Sequence, residues 1–155
     1  MRAASDTYMI TGVIVRPFND SIQGDEGDRW FISWLERNGF TDVKRTSQYC
    51  RWDLEGYYGG ELYCFEMKNR TFPSYKYNDV LLSKDKYDFL RELPYKVVLA
   101  TFYTDKFVLI DIKHRSPQEI TEKVCKRQTV FNDHRMIPKK VVKWFVKDLK
   151  LLDYD

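Results

Sequence analysis

A chain of 155 residues, 43% hydrophobic and 32% charged, has the length of one domain and enough apolar side chains to bury a core, which excludes a disordered or low-complexity chain. No apolar run reaches the roughly 18–20 residues of a membrane span, and the first residues lack a signal peptide's apolar stretch, so a cytoplasmic protein without membrane contact is expected. The net charge of +3 conceals an asymmetry: residues 113–150 carry 11 Lys/Arg against 4 Asp/Glu, whereas the remainder carries 15 against 19. An acidic body with a basic C-terminal third suits a polyanionic partner. Two histidines and three scattered cysteines, Cys50, Cys64 and Cys125, argue against a zinc site and for reduced thiols that fill the interior.

In chain order, the apolar patch Met9–Val15 predicts an edge strand, followed by a loop rich in Pro, Asn, Asp and Gly. From Asp25 to Asn38, Trp30, Phe31, Trp34 and Leu35 recur at helical spacing, and Gly39 follows as a C-terminal cap. Glu26, four residues before Trp30, falls on the same stripe as the core residues. Strands are expected over 42–46, 48–58 and 61–70, the last two joined by a Gly59-Gly60 hairpin turn. Residues 71–79 read as a loop. Ser83 starts a helix over 84–93, ended by Pro94. Strands follow at 95–103 and 107–113. Ser116-Pro117-Gln118-Glu119 has the form of a capping box and predicts a short helix to about Lys123. The β-branched and aromatic residues of 139–147 favour a strand.

Strand alternation places Leu62, Cys64, Glu66 and Lys68 on one face of the 61–70 strand and Tyr63, Phe65 and Met67 on the other. Two opposite charges thus continue an otherwise apolar face, which a half-solvated strand does not explain. The acid-x-Lys pattern itself is cheap. It also occurs at Asp42/Lys44, Asp111/Lys113 and Asp148/Lys150, and chance alone supplies about two copies. Glu66/Lys68 differs by its context, because the hairpin brings Asp53 from the neighbouring strand to the same place. Two carboxylates suit a hard divalent cation, and an ammonium on the same face suits a phosphate or an attacking water. Glu55, on the same strand face as Asp53, is the alternative to it.

Asp53, the Glu66-Met67-Lys68 signature and the order helix, three strands, helix, strand over about residues 25–112 together resemble the PD-(D/E)XK nuclease superfamily. Trp52 stands where proline often precedes the first carboxylate. The resemblance implies a restriction-endonuclease-like αβββαβ core with a mixed sheet flanked by helices, within a single domain over 1–155 whose basic segment 113–155 packs on the core. It implies Mg²⁺-dependent DNA hydrolysis, with Mn²⁺ as a substitute. Asp53, Glu66 and the Met67 carbonyl are then metal ligands, Lys68 orients water, and Glu26 matches the helix carboxylate of Holliday-junction-resolvase-like members. Those resolvases act as dimers, so a homodimer is expected as well. Arg70, Lys86, Lys139 and Lys140 are candidate phosphate contacts, and Tyr75 and Tyr77 are the aromatics best placed to stack on a base. Trp30 and Trp34 belong to the core. The competing reading is a nuclease-fold protein that binds DNA without cutting it.

Overall fold

The structure, a computed structural model, describes residues 8–10, 13–18, 25–126 and 136–154. Helix α1 (Asp25–Arg37) is followed by strands β3 (Thr41–Arg45), β4 (Leu54–Tyr58), β5 (Glu61–Asn69) and β6 (Asp79–Ser83), helix α2 (Lys84–Arg91), and strands β7 (Lys96–Phe102), β8 (Phe107–Asp111), β9 (Glu119–Lys126) and β10 (Met136–Phe145). Ahead of α1, β1 (Tyr8–Ile10) and β2 (Val13–Val15) pair with each other antiparallel. The apolar patch expected to form one edge strand is therefore a short ladder folded on itself. Among the described residues no helix is long and apolar enough to cross a membrane.

A mixed five-stranded sheet in the order β3-β4-β5-β7-β8 forms the centre. Its one parallel pair is β5 with β7. Parallel neighbours need a long crossover, and here that crossover contains β6 and α2. Ser83 caps α2 as its side chain accepts a hydrogen bond from the Lys86 amide at 3.3 Å, and Tyr87 and Leu90 are the residues this helix buries. Helix α1 ends where Gly39 takes φ = +94°, a conformation that L side chains adopt only with strain. The turn is closed by the Phe40 amide on the Leu35 carbonyl at 3.0 Å.

Strand alternation divides the interior into two cores, one on each face of the sheet. On one face Phe65, Leu54, Ala100 and Phe102 pack with Phe31 and Leu35 of α1 and with Tyr154; Trp30 and Trp34 pack against this core as expected. On the other, Cys64, Val97, Leu99 and Ile110 pack with Tyr87 and Leu90 of α2 and with Val80, Leu82, Val142 and Trp144. The last four come from a second sheet, antiparallel, in the order β6-β10-β9. Pro138 is accommodated within β10 because the ladder to β6 reaches only Val141, leaving that side of the strand open at the proline.

Three expectations are corrected. Residues 48–53 are not strand; β4 starts at Leu54, and the Thr46 amide closes a loop by bonding the Asp53 carbonyl at 3.0 Å. The expected loop over 71–79 stops short of its last residue, because Asp79 opens strand β6 (Asp79–Ser83), paired to the distant β10. The predicted helix over 116–123 is absent: Glu119–Lys126 is β9. Gln118 does not cap a helix, because its side chain accepts from the Phe145 amide at 2.6 Å and donates to Asp148 at 2.6 Å. Tertiary partners thus override a local helix signal, and Ile120, Thr121 and Val124 suit a strand. Cys50 and Cys64 are free thiols, and burial, with the charge of Glu55 adding to it, pushes the Cys64 thiol up to about 12, an inert filler.

Candidate active site

The β4–β5 ladder ends where Leu54 pairs with Phe65, so Asp53 lies just beyond it, next to the part of β5 that carries Glu66. Glu66 is in phase with the buried Cys64 and so lies on the face covered by α2. Two backbone-linked bonds fasten the corner. The Asp53 amide donates to the Phe65 carbonyl at 2.9 Å, and the Met67 amide donates to Asp53 Oδ2 at 2.8 Å. A strand residue turns its amide and carbonyl to the same side, so the Met67 carbonyl also faces the edge where β4 has ended and Asp53 stands.

Glu66 is only 4% exposed. Its Oε1 lies 3.4 Å from Lys68 Nζ and its Oε2 lies 3.4 Å from Lys86 Nζ. The Lys86 ammonium directs its hydrogen bond at the Arg51 carbonyl, 2.6 Å away, and Glu66 Oε2 is left buried without a hydrogen-bond partner. Burial pushes the Glu66 carboxyl above its ordinary range and the charge of Asp53 pushes it further, while Lys68 and Lys86 draw it back. Oε2 thus has the Lys86 ammonium as an ion-pair partner but no well-aligned hydrogen bond. A cation held by Asp53, Glu66 and the Met67 carbonyl would satisfy it with oxygen donors of the kind Mg²⁺ takes, so these residues fit such an ion. Among the described residues no group of three or more His, Cys, Asp or Glu is gathered in one place; the donor set here is two carboxylates and backbone.

The other candidates are distributed around this corner. Lys86, a candidate phosphate contact, reaches Glu66 and the Arg51 carbonyl. Glu55 faces Cys64 across the ladder and is engaged by Trp52 Nε1 at 3.4 Å and Lys44 at 3.9 Å. Glu26 is exposed rather than on the buried stripe of α1; its helix packs on the opposite face of the sheet from Glu66. The first turn of α1 nonetheless meets the end of β5, since a Cβ on Gly27 would sit 3.3 Å from Asn69 Nδ2. Arg70 donates its amide to the Phe102 carbonyl at 2.8 Å and borders a cavity of about 310 Å³. Lys139 and Lys140 are exposed on β10, where with Lys84, Asp85 and Asp88 of α2 they line a groove on the same side of the main sheet as Lys68. Arg127 and Arg135, also part of the basic third, lie outside the described residues. The rival acid-x-Lys pair Asp111/Lys113 is otherwise occupied: Asp111 holds His114 at 2.8 Å, and Lys113 bonds the Leu93 carbonyl.

Sequence reasoning missed Thr101. It pairs with Lys68 across the parallel β5–β7 ladder, and its hydroxyl is buried without a hydrogen-bond partner. The available signal was a lone hydroxyl in the apolar run Val97–Phe102, in phase with Leu99, the residue paired to Glu66.

No protein-family model matches the chain, and no curated protein matches it in sequence. Among solved structures, the Holliday junction resolvase Hjc from the archaeal hyperthermophile Archaeoglobus fulgidus is similar, with a TM-score of 0.51 and 15% sequence identity over 81% of this chain and 85% of that one. The likeness is one of fold: this chain has an α/β, restriction-endonuclease-like architecture.

Proposed function

We propose that the protein is a metal-dependent DNA endonuclease of PD-(D/E)XK type that hydrolyses phosphodiester bonds. The observation that carries this reading is the buried Glu66, whose Oε2 has the Lys86 ammonium at 3.4 Å, with Asp53 bound to the Met67 amide next to it and Lys68 beside it on an otherwise apolar sheet face. A structural ion pair has no need of that burial, which costs more than an exposed pair returns. The fold neighbour, named as a Holliday junction resolvase, makes branched DNA the first substrate to try, and a homodimer accompanies this reading.

A divalent cation, Mg²⁺ or Mn²⁺, supplies charge neutralisation at the phosphate and a more acidic water when bound. Asp53 and Glu66 hold negative charge where that cation is needed. Lys68 presents an ammonium on the same face, at the open end of β5, where it can orient an attacking water or hold a phosphate oxygen. Lys86 ties α2 to the Arg51 carbonyl, two residues before Asp53, and so keeps the loop carrying that carboxylate against Glu66.

Labelled four-way junction, blunt duplex and single-stranded DNA, each incubated with Mg²⁺, Mn²⁺ or EDTA, test the proposal. Cleavage of at least one substrate that EDTA abolishes is expected; intact substrates throughout would refute it. A second reading, binding without cutting, is favoured by one observation: Lys68 and Lys86 already neutralise Glu66 without a metal. Under that reading DNA is retained in EDTA and never nicked with Mg²⁺.

A further inference from the structure

Just past Lys68 the chain leaves β5 and builds a loop in which Phe72 packs on the core and Ser74 is buried, while two tyrosines point outward. Tyr75 is 83% and Tyr77 is 54% exposed. The loop that carries them is nevertheless pinned: buried Ser74 donates both its amide and its hydroxyl to Asp105, each at 2.7 Å, the Thr104 amide donates to the Phe72 carbonyl at 3.1 Å, and the Val146 amide to the Asn78 carbonyl at 2.9 Å. Tyr75 is thus displayed in water on a pinned support, and Tyr77, set edge-on against Phe72 at 4.9 Å between ring centroids, keeps part of its ring exposed.

Tyr77 stands between two cavities. On one side a space of about 310 Å³ is bordered by Arg70, Phe72, Tyr103 and Lys123. On the other a space of about 500 Å³ is bordered by Tyr75, Phe145 and Lys147. The walls carry Arg70, Lys123 and Lys147 together with the carboxylate of Asp79, which Lys143 approaches at 3.7 Å. Aromatic faces interleaved with net positive charge form the chemistry that takes up unpaired nucleotides, bases on the rings and phosphates on the cations. A duplex cannot use it, because its bases are already stacked on one another.

From this arrangement we infer that the Tyr75–Tyr77 loop is a landing site for an unpaired stretch of the DNA substrate, leading from the Asp53/Glu66/Lys68 corner past Arg70 to stacking positions on Tyr77 and Tyr75. The inference deepens the nuclease reading and rests on it. It makes the substrate one with a single-stranded segment beside the scissile phosphate, such as a flap, a frayed end or an opened junction, rather than uninterrupted duplex.

The test is binding of a single-stranded oligonucleotide carrying 2-aminopurine, and of a blunt duplex of equal length, to the full chain in EDTA, where no cleavage competes. Quenching of 2-aminopurine and tighter binding of the single strand are expected. Tyr77→Leu should weaken single-strand binding by about tenfold or more, a base-stacking loss, and leave duplex binding unchanged. Tyr77→Phe keeps the ring and should restore it, which separates stacking from damage to the fold. Equal weakening for both DNAs, or none for either, overturns the inference. Cleavage by the unaltered protein is scored separately. Tyrosine-dependent single-strand binding without any cutting would refute the nuclease reading alone, and cutting with indifference to Tyr77→Leu would refute this inference alone.

Discussion

Glu66 concentrates the chemistry in one side chain. Its carboxyl is raised above the ordinary range of a glutamate by burial and by Asp53, so the folded state holds its proton more tightly than the unfolded chain does. Linkage then fixes the sign: the contribution to stability is fully present below the ordinary glutamate pKa, near 4.5, and is lost as pH rises through the higher folded value. Thermal melts without divalent metal should show this loss with rising pH, Glu66→Gln should flatten it, and added Mg²⁺ should oppose it. In catalysis, Lys68→Ala should lower the cleavage rate by roughly 10²–10⁴-fold, the range for a group that positions or transfers a proton. Asp53→Asn and Glu66→Gln should be as severe, with circular dichroism unchanged. Double variants should be little worse than single ones, because the three act as a unit.

Among the elements, the β3–β4 pair depends on a close approach at Gly56. A Cβ there would lie 3.0 Å from Val43 Cγ2, with Val43 Cα at an ordinary 3.5 Å, so Gly56→Ala must displace the stiff β-branched Val43 side chain by a few tenths of an ångström. A loss of roughly 1–3 kcal/mol is expected by urea denaturation, and less when Val43→Ala is added, since the two substitutions share one contact. In the second sheet, Trp144 is fully buried between β6 and α2 and donates its indole N–H to the Arg115 carbonyl at 2.9 Å. Trp144→Ala should cost about 3–5 kcal/mol. It should also loosen α2, and through Lys86 the loop that holds Asp53.

For the molecule as a whole, charge and topology act together. The second sheet carries Lys139 and Lys140 to the α2 side of the main sheet, the side on which Glu66 lies. If both lysines contact phosphates, replacing them with alanine should flatten the slope of log affinity against log salt on duplex DNA by about 1.8, at roughly 0.9 per contact. Titration at several salt concentrations measures this directly, and an unchanged slope assigns both lysines to solvent. The same double variant should leave the preference for single strands over duplex intact, because that preference is placed on Tyr75 and Tyr77 at a different part of the surface.

Much of this was legible in the sequence because it is local. Helical spacing with Gly39 marks α1, the Ser83 cap marks α2, and period-two alternation after Gly59-Gly60 is enough to put Glu66 in phase with the buried Cys64, with Lys68 two residues on. Interactions between residues far apart in the chain were not legible. Nothing near Gln118 announces that Phe145 and Asp148 will take its hydrogen bonds and turn a helix signal into β9. Nothing near Lys86 shows that a helix cation will turn inward to a strand carboxylate 20 residues earlier and to the carbonyl of Arg51. Periodicity reports which face a residue occupies, whereas its partner across that face depends on how the sheets stack, and only the folded chain decides that.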